Sequence, residues 1–357
     1  MRAAIYPYNY DTKTITSHCS DMKGFELKNI ISFRDHESYI KNRLGGIIDG
    51  INIDSDFEKA IANVECVIFT DNLSNAPLET YAKRIRQAAE MQKKVILDQN
   101  LYFHLTENKL LGSLKEVSYN IMTSEFNWNS ISEFSMKKIN IPIITIYGMV
   151  ESCSKFDIHL RLAHWLEQMG IKALHISANS CGYLFGMKPM PRFMFDSNIS
   201  FERKIFMLNR FVFEQINESK PQVVVITAPG GVTAYSQTLS NHYGELAAVV
   251  GNAITADAGI LCLGYTNKID SPYLSYIHNF LEYRLNSDIF AYCISNIKTK
   301  EDLNTHNFER MQLDAEEMEY ANLNTLKENV AYLTDNKGVE KILKKLIGYL
   351  ADNIDAI

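Results

Sequence analysis

The chain reads as an α/β protein built on parallel sheets, and three observations carry that reading. Short apolar, β-branched runs alternate with amphipathic helical stretches along most of the length, which is the pattern of strands joined by crossover helices. The run from Ile141 to Tyr147 ends at Gly148, and a short polar loop then leads to Lys155 at the head of a helix, a layout that presents backbone amides and a cation to a phosphate. With 357 residues, the chain is too long for one ordinary core. Two α/β domains and an appendage are therefore expected.

Taken in order, the first domain should contain strands Ala3–Tyr6 and Ile30–Phe33, a helix Phe57–Val64, a strand Cys66–Thr70, a long helix Leu78–Met91 and a strand Val95–Asp98. Alternation of this kind predicts a Rossmann-like or flavodoxin-like parallel sheet. Asp71 and Asp98 fall at the carboxyl ends of their strands, where open α/β sheets hold ligands and where an aspartate also caps the next turn. Residues 100–140 carry no regular pattern, which places the boundary near Asn127 to Asn140. The expected division is 1–126, a second sheet domain over 140–298, and a helical C-terminal tail over 299–357.

In the second domain the loop leads into a helix Phe156–Met169 closed by Gly170, then a strand Lys172–Ile176 and an irregular piece Ser177–Asp196. A helix Glu202–Ile216 follows, then the buried run Val223–Ile226, which ends in Thr227-Ala-Pro-Gly-Gly231. After that the reading gives a helix Ser240–Asn252, a strand Ile260–Gly264, a helix Leu274–Leu285 and a strand Phe290–Ser295. The tail holds one amphipathic helix, Gly338–Asn353.

Six residues separate Gly148 from Lys155, which matches the longer form of the P-loop. In that reading Gly148, Ser152, Cys153, Ser154, Lys155 and Phe156 form the anion cradle, with Lys155 as the charge on the phosphates. Two positions depart from the pattern and make the loop degenerate. Ser154 stands where a second glycine would let backbone approach phosphate, and Phe156 stands where a hydroxyl would hold Mg²⁺. Glu151 is the nearest replacement acid, so Glu151 and Ser154 are the candidate metal ligands, and Glu151 joins Lys155 as a candidate catalytic group. A helix-dipole partner is the plainer role for Glu151. Cys153 at the helix head would favour a thiolate, although no base stands beside it in sequence.

The order of loop helix, strand ending in a Gly-Gly turn, then two strands of which the last ends in Asn resembles the P-loop domain of dethiobiotin synthetase and related NTPases. The resemblance implies that Pro229-Gly230-Gly231 follows the strand that carries a metal-binding acid, and that Asn296 reads a purine base. Here that strand ends in Thr227, so the acid is missing. Over nearly its full length the chain is also similar to clostridial peptide-maturation system proteins, through Gly148–Phe156 and the stretch Pro191–Phe195, which implies a role beside small modified peptides. Asn267-Lys268-Ile269-Asp270 spells a guanine-reading tetrad, an alternative to Asn296. Arg192, between aromatics, is a further candidate for phosphates or a carboxylate.

A net charge of −6 and a pI near 5.9 offer no basic footprint for nucleic acid or an anionic membrane. No apolar stretch exceeds strand length and the N-terminus lacks a signal-peptide core, so a cytoplasmic protein is expected. Cysteines 19, 66, 153, 181, 262 and 293 form no C-x-x-C pair, which points to free thiols. The expected cofactor is ATP, with GTP as the alternative base and Mg²⁺ left open. Expected partners are a small phosphorylated ligand, a precursor peptide or carrier-like protein, and a second copy of the chain. The functional expectation is a nucleotide- or phosphoryl-ligand-binding component of peptide natural-product maturation that activates a carboxylate by phosphoryl transfer. A non-catalytic docking or scaffold protein on the same fold is the alternative.

Overall fold

A computed structural model describes residues 1–8, 10–33, 50–71, 77–114, 116–128, 135–234, 236, 240–301 and 308–353. The chain is α/β and forms two compact units, Met1–Ser124 with Asn179–Arg192, and Glu125–Ala178 with Phe193–Ile357. Residues 179–192, which the sequence places inside the second domain, cluster with the first.

The first unit is a six-stranded parallel sheet. Its strands lie in the order Asn52–Asp54, Glu26–Ile31, Arg2–Tyr6, Cys66–Phe69, Lys94–Asp98, Tyr119–Met122, or 3-2-1-4-5-6 by position in the chain. That is the doubly wound order of dinucleotide-binding folds, but the first strand-to-helix turn, Pro7-Tyr8-Asn9, has none of the glycines a pyrophosphate requires. Thr70 Oγ1 donates to the Pro7 carbonyl at 3.0 Å, and the Tyr81 hydroxyl donates to the Thr70 carbonyl at 3.0 Å. Asp98 takes the structural option: it caps helix Gln99–Glu107 by accepting from the Asn100 and Leu101 amides at 2.7 and 3.2 Å, and the Ser180 hydroxyl donates to its other oxygen. Burial pushes the Asp98 carboxyl up to about 6, the Ser180 bond opposing it and Asp71 adding to it.

In the second unit, six parallel strands lie in the order Asn329–Tyr332, Ser287–Ile294, Ala256–Leu263, Ile143–Gly148, Val223–Thr227, Ala173–Ser177. The strand that opens the unit is thus flanked by later ones on both sides. The chain passes from it to one side of the sheet and returns to the other, so its carboxyl end is the switch point at which open α/β sheets place their ligand crevice. Helix Lys155–Gln168 buries Ile158, Leu162 and Leu166 against this sheet, and the tail contributes more than its helix. Asn329–Tyr332 extends the sheet, Ile297–Glu301 pairs antiparallel with Phe308–Gln312, and helix Asn336–Asn353 seals the same core with Val339, Ile342, Leu343, Leu346 and Leu350. Burying five such side chains contributes on the order of 8–15 kcal/mol before conformational entropy is counted.

Candidate phosphate-loop site

The crevice holds the Gly148–Lys155 loop on one strand end and the Thr227–Gly231 turn on the next. Gly148 is required by space: a Cβ there would collide with Cys153 Sγ and stand 2.8 Å from both Lys155 Cδ and the Val150 carbonyl. Gly231 is required for the same reason, since a Cβ would stand 2.6 Å from Asn241 Nδ2 and from the Met149 carbonyl. The two turns are stitched together, with Val232 N donating to Gly148 O at 2.9 Å and Asn241 Nδ2 to Met149 O at 3.3 Å.

Lys155, 6% exposed, crosses the crevice and donates from Nζ to the Gly230 carbonyl. Its ammonium therefore stands with the amino end of helix Lys155–Gln168, an arrangement that favours an anion. Ser154 adopts the left-handed conformation, φ 62° and ψ 28°, immediately before that helix. That is why a glycine would suit the position, and serine costs about 1–2 kcal/mol there. The Ser154 hydroxyl offsets part of this through a 2.7 Å bond to Ser295 Oγ, which in turn accepts from Ile297 N at 3.0 Å.

The two expected metal ligands lie in different surroundings. The Ser154 hydroxyl is engaged by Ser295, Phe156 is buried and has no oxygen, and Glu151 is exposed. Among the described residues no three His, Cys, Asp or Glu side chains converge as ligands. Thr227, at the place of the missing acid, bonds through Oγ1 to His159 Nδ1 at 2.7 Å, and His159 Nε2 bonds to His175 Nδ1 at 3.2 Å. Each neutral ring has a single N–H, so the chain has one sense: either Thr227 donates and both rings pass the direction on, or all three reverse together. Burial keeps both rings neutral, holding His159 well below the ordinary range and His175 at about 4.

The base-reading candidates each make a bond within the chain. Asn296 Nδ2 donates to Leu313 O at 2.8 Å and fastens the tail hairpin. In the competing tetrad, Asn267 Nδ2 donates to Glu319 Oε2 at 2.5 Å, and Asp270 caps helix Ser271–Leu285 by accepting from Tyr273 N at 2.8 Å. Arg192 belongs to the first unit, where its guanidinium lies 4.7 Å over the Phe103 ring. Cys153 and Ser152 lie in the loop, with Cys153 fully buried and its thiol donating to Val150 O at 2.9 Å.

Sequence reading missed Ser295, the His159–His175 pair and Asn241. It also took 240–252 as a helix from its start. Residues 241–244 instead form a left-handed turn, with φ of 46°, 48°, 52° and 76°, before the right-handed helix Glu245–Ala253 begins. Backbone held in this region clusters at functional sites.

The whole chain shares its fold with a DUF1611 family protein. That crystal structure, from Anabaena variabilis, superposes with a TM-score of 0.65 over 99% of each chain at 10% sequence identity, a likeness of fold alone. Cobyrinic acid a,c-diamide synthase from Mycobacterium smegmatis, solved with an ATP analog and magnesium, aligns with 46% of this chain and 78% of its own at 12% identity and a TM-score of 0.29. A probable dehydrogenase from Thermotoga maritima aligns over 50% and 45% at 15% identity and 0.26. Superpositions that loose carry no argument about a site. No family model matches the chain, and no curated protein matches it. No described helix is long and apolar enough to cross a membrane.

Proposed function

We propose that the second unit binds the phosphate groups of ATP or another phosphorylated ligand at the Gly148–Lys155 loop. The observation that carries this is the placement of the Lys155 ammonium at the amide end of its own helix, over a glycine turn that only glycine fits. Phosphate would take Lys155 Nζ and the amides of residues 152–156, and the Gly230 carbonyl would hold the lysine in place meanwhile. Asn296, Asn267 and Asp270 are committed elsewhere, so recognition should rest on phosphate rather than base. With no protein oxygen set for a metal, transfer to a carboxylate would be slow, which favours binding over rapid turnover. Resemblance to peptide-maturation proteins supplies the context: a phosphoryl-ligand-binding component that works beside a precursor peptide.

Calorimetric titration with ATP, GTP and inorganic pyrophosphate, with and without Mg²⁺, tests this. ATP and GTP should bind within about threefold of one another. Lys155→Ala should weaken all three by roughly tenfold or more, corresponding to the ~1.5–3 kcal/mol of a charged hydrogen bond. Binding that is indifferent to Lys155, or brisk Mg²⁺-dependent ATP turnover, would overturn the reading.

A further inference from the structure

We propose that Cys153 and Cys262 form a reversible disulfide beneath the phosphate loop, closing its anion site under oxidation; the regulatory part of this rests on the phosphate-binding reading above. Gly148 and Cys262 are register partners on adjacent parallel strands. The Cys262 side chain therefore leaves the sheet on the face where Gly148 has none. Cys153 Sγ fills the vacant place over Gly148, against the position a Cβ would take. The two thiols are thus neighbours on one face of the sheet. Loop and strand are also joined by the backbone, since Met149 N donates to the Cys262 carbonyl at 2.9 Å.

Cys293 is in turn the register partner of Cys262, so three thiols line up across three strand ends. They are not equivalent. Cys153 belongs to the loop, with its sulfur over Gly148 beside the Lys155 stem, and is assigned as the attacking thiol; Cys262, the register partner of Gly148, is the thiol placed to resolve it, and Cys293 lies one strand further off.

Hydrogen peroxide is the oxidant, being small enough to enter as the loop opens. The Cys153 thiolate attacks one peroxide oxygen, the O–O bond breaks, and the departing hydroxide takes a proton to become water. Cys262 then displaces the hydroxyl of the resulting sulfenic acid, its thiol proton leaving with that hydroxyl as a second water. Two thiols lose two hydrogens and one peroxide becomes two waters. Closing the non-bonded sulfur contact to a bond of about 2.05 Å draws residues 150–154 toward the sheet and spoils the convergence of their amides.

The test treats the full-length protein with peroxide and maps peptides without reduction. A Cys153–Cys262 peptide lighter by two hydrogens is expected, reversed by dithiothreitol, with amide exchange of residues 149–155 slowed in the absence of any ligand. Pyrophosphate binding should fall at least tenfold on oxidation and return on reduction. Cys262→Ala should abolish both changes, while Cys293→Ala should keep them. Absence of the linked peptide, or the linked peptide with unchanged loop exchange, overturns the proposal. If the reduced protein binds no pyrophosphate, the phosphate reading fails, and the linked peptide with its exchange change still decides the disulfide.

Discussion

Gly148→Ala should abolish anion binding and destabilise the second unit by about 2–3 kcal/mol, the range of an overpacked core position. The added methyl has no room to be absorbed. It would meet Cys153 Sγ, the buried stem of Lys155 and a backbone carbonyl at once. The sulfur and the lysine stem can yield only by leaving the positions that build the site, and the Val150 carbonyl can yield only by redrawing the loop. Gly264→Ala is the matched control: it lies at the carboxyl end of a neighbouring strand, and its Cβ would meet only the Ile297 carbonyl, at 3.9 Å. That variant should stay within ~0.5 kcal/mol of the parent. Denaturant melts and a pyrophosphate titration on both variants decide the matter, and a Gly148→Ala protein that melts and binds like the parent would remove the loop from consideration.

Acid should weaken the second unit through its histidine pair. His175 has a folded value of about 4 against an ordinary 6.5, and His159 is displaced in the same direction. Above pH 6.5 neither folded nor unfolded chain binds these protons, and stability is whole. As the pH falls below 6.5 the unfolded chain takes them up and the folded chain does not, so stability is lost progressively down to about pH 4, by roughly 3 kcal/mol for His175 alone. Asp98 works the other way. Its carboxyl is raised to about 6, so the folded first unit binds a proton sooner than the unfolded chain and gains stability as the pH falls toward 4. The readout is therefore the difference between parent and His175→Asn in urea melts at pH 7.5 and 5. The variant should be weaker at pH 7.5, where the bond to His159 is lost, and should lose less on acidification. Equal losses in the two proteins would show that the pair does not titrate as described.

Both sheets were legible in the alternation of strand and helix, because buried runs such as Val223–Thr227 and Cys66–Phe69 have no other use. Three of the strands that escaped notice, Asn52–Asp54, Tyr119–Met122 and Asn329–Tyr332, are short edge strands with asparagine among three or four residues, so neither alternation nor an apolar run marks them. The same split runs through the site. Gly148 and Lys155 announce themselves because steric need and charge reside in the residue itself. Ser295 and Thr227 do not, since their roles are set by partners 141 and 68 residues distant that only strand order brings near. Asn296 shows the converse: the right residue stood at the right strand end, and a backbone carbonyl of the tail claimed its amide.

The left-handed turn at 241–244 sets a seam of reversed chirality against the first residue of a right-handed helix. An α-helix ordinarily frays or lengthens one residue at a time, but helix Glu245–Ala253 cannot grow backwards across this seam unless successive φ angles change sign together. Its amino end is therefore a fixed post, and Asn241, which reaches from the seam to the phosphate-loop carbonyl of Met149, inherits that fixity. Mirror symmetry supplies the corollary. At Tyr243, whose residue is 69% exposed, a D-tyrosine introduced by chemical ligation would find comfortable the backbone that its L-counterpart holds at a cost of about 1–2 kcal/mol, so inverting one stereocentre should stabilise the turn.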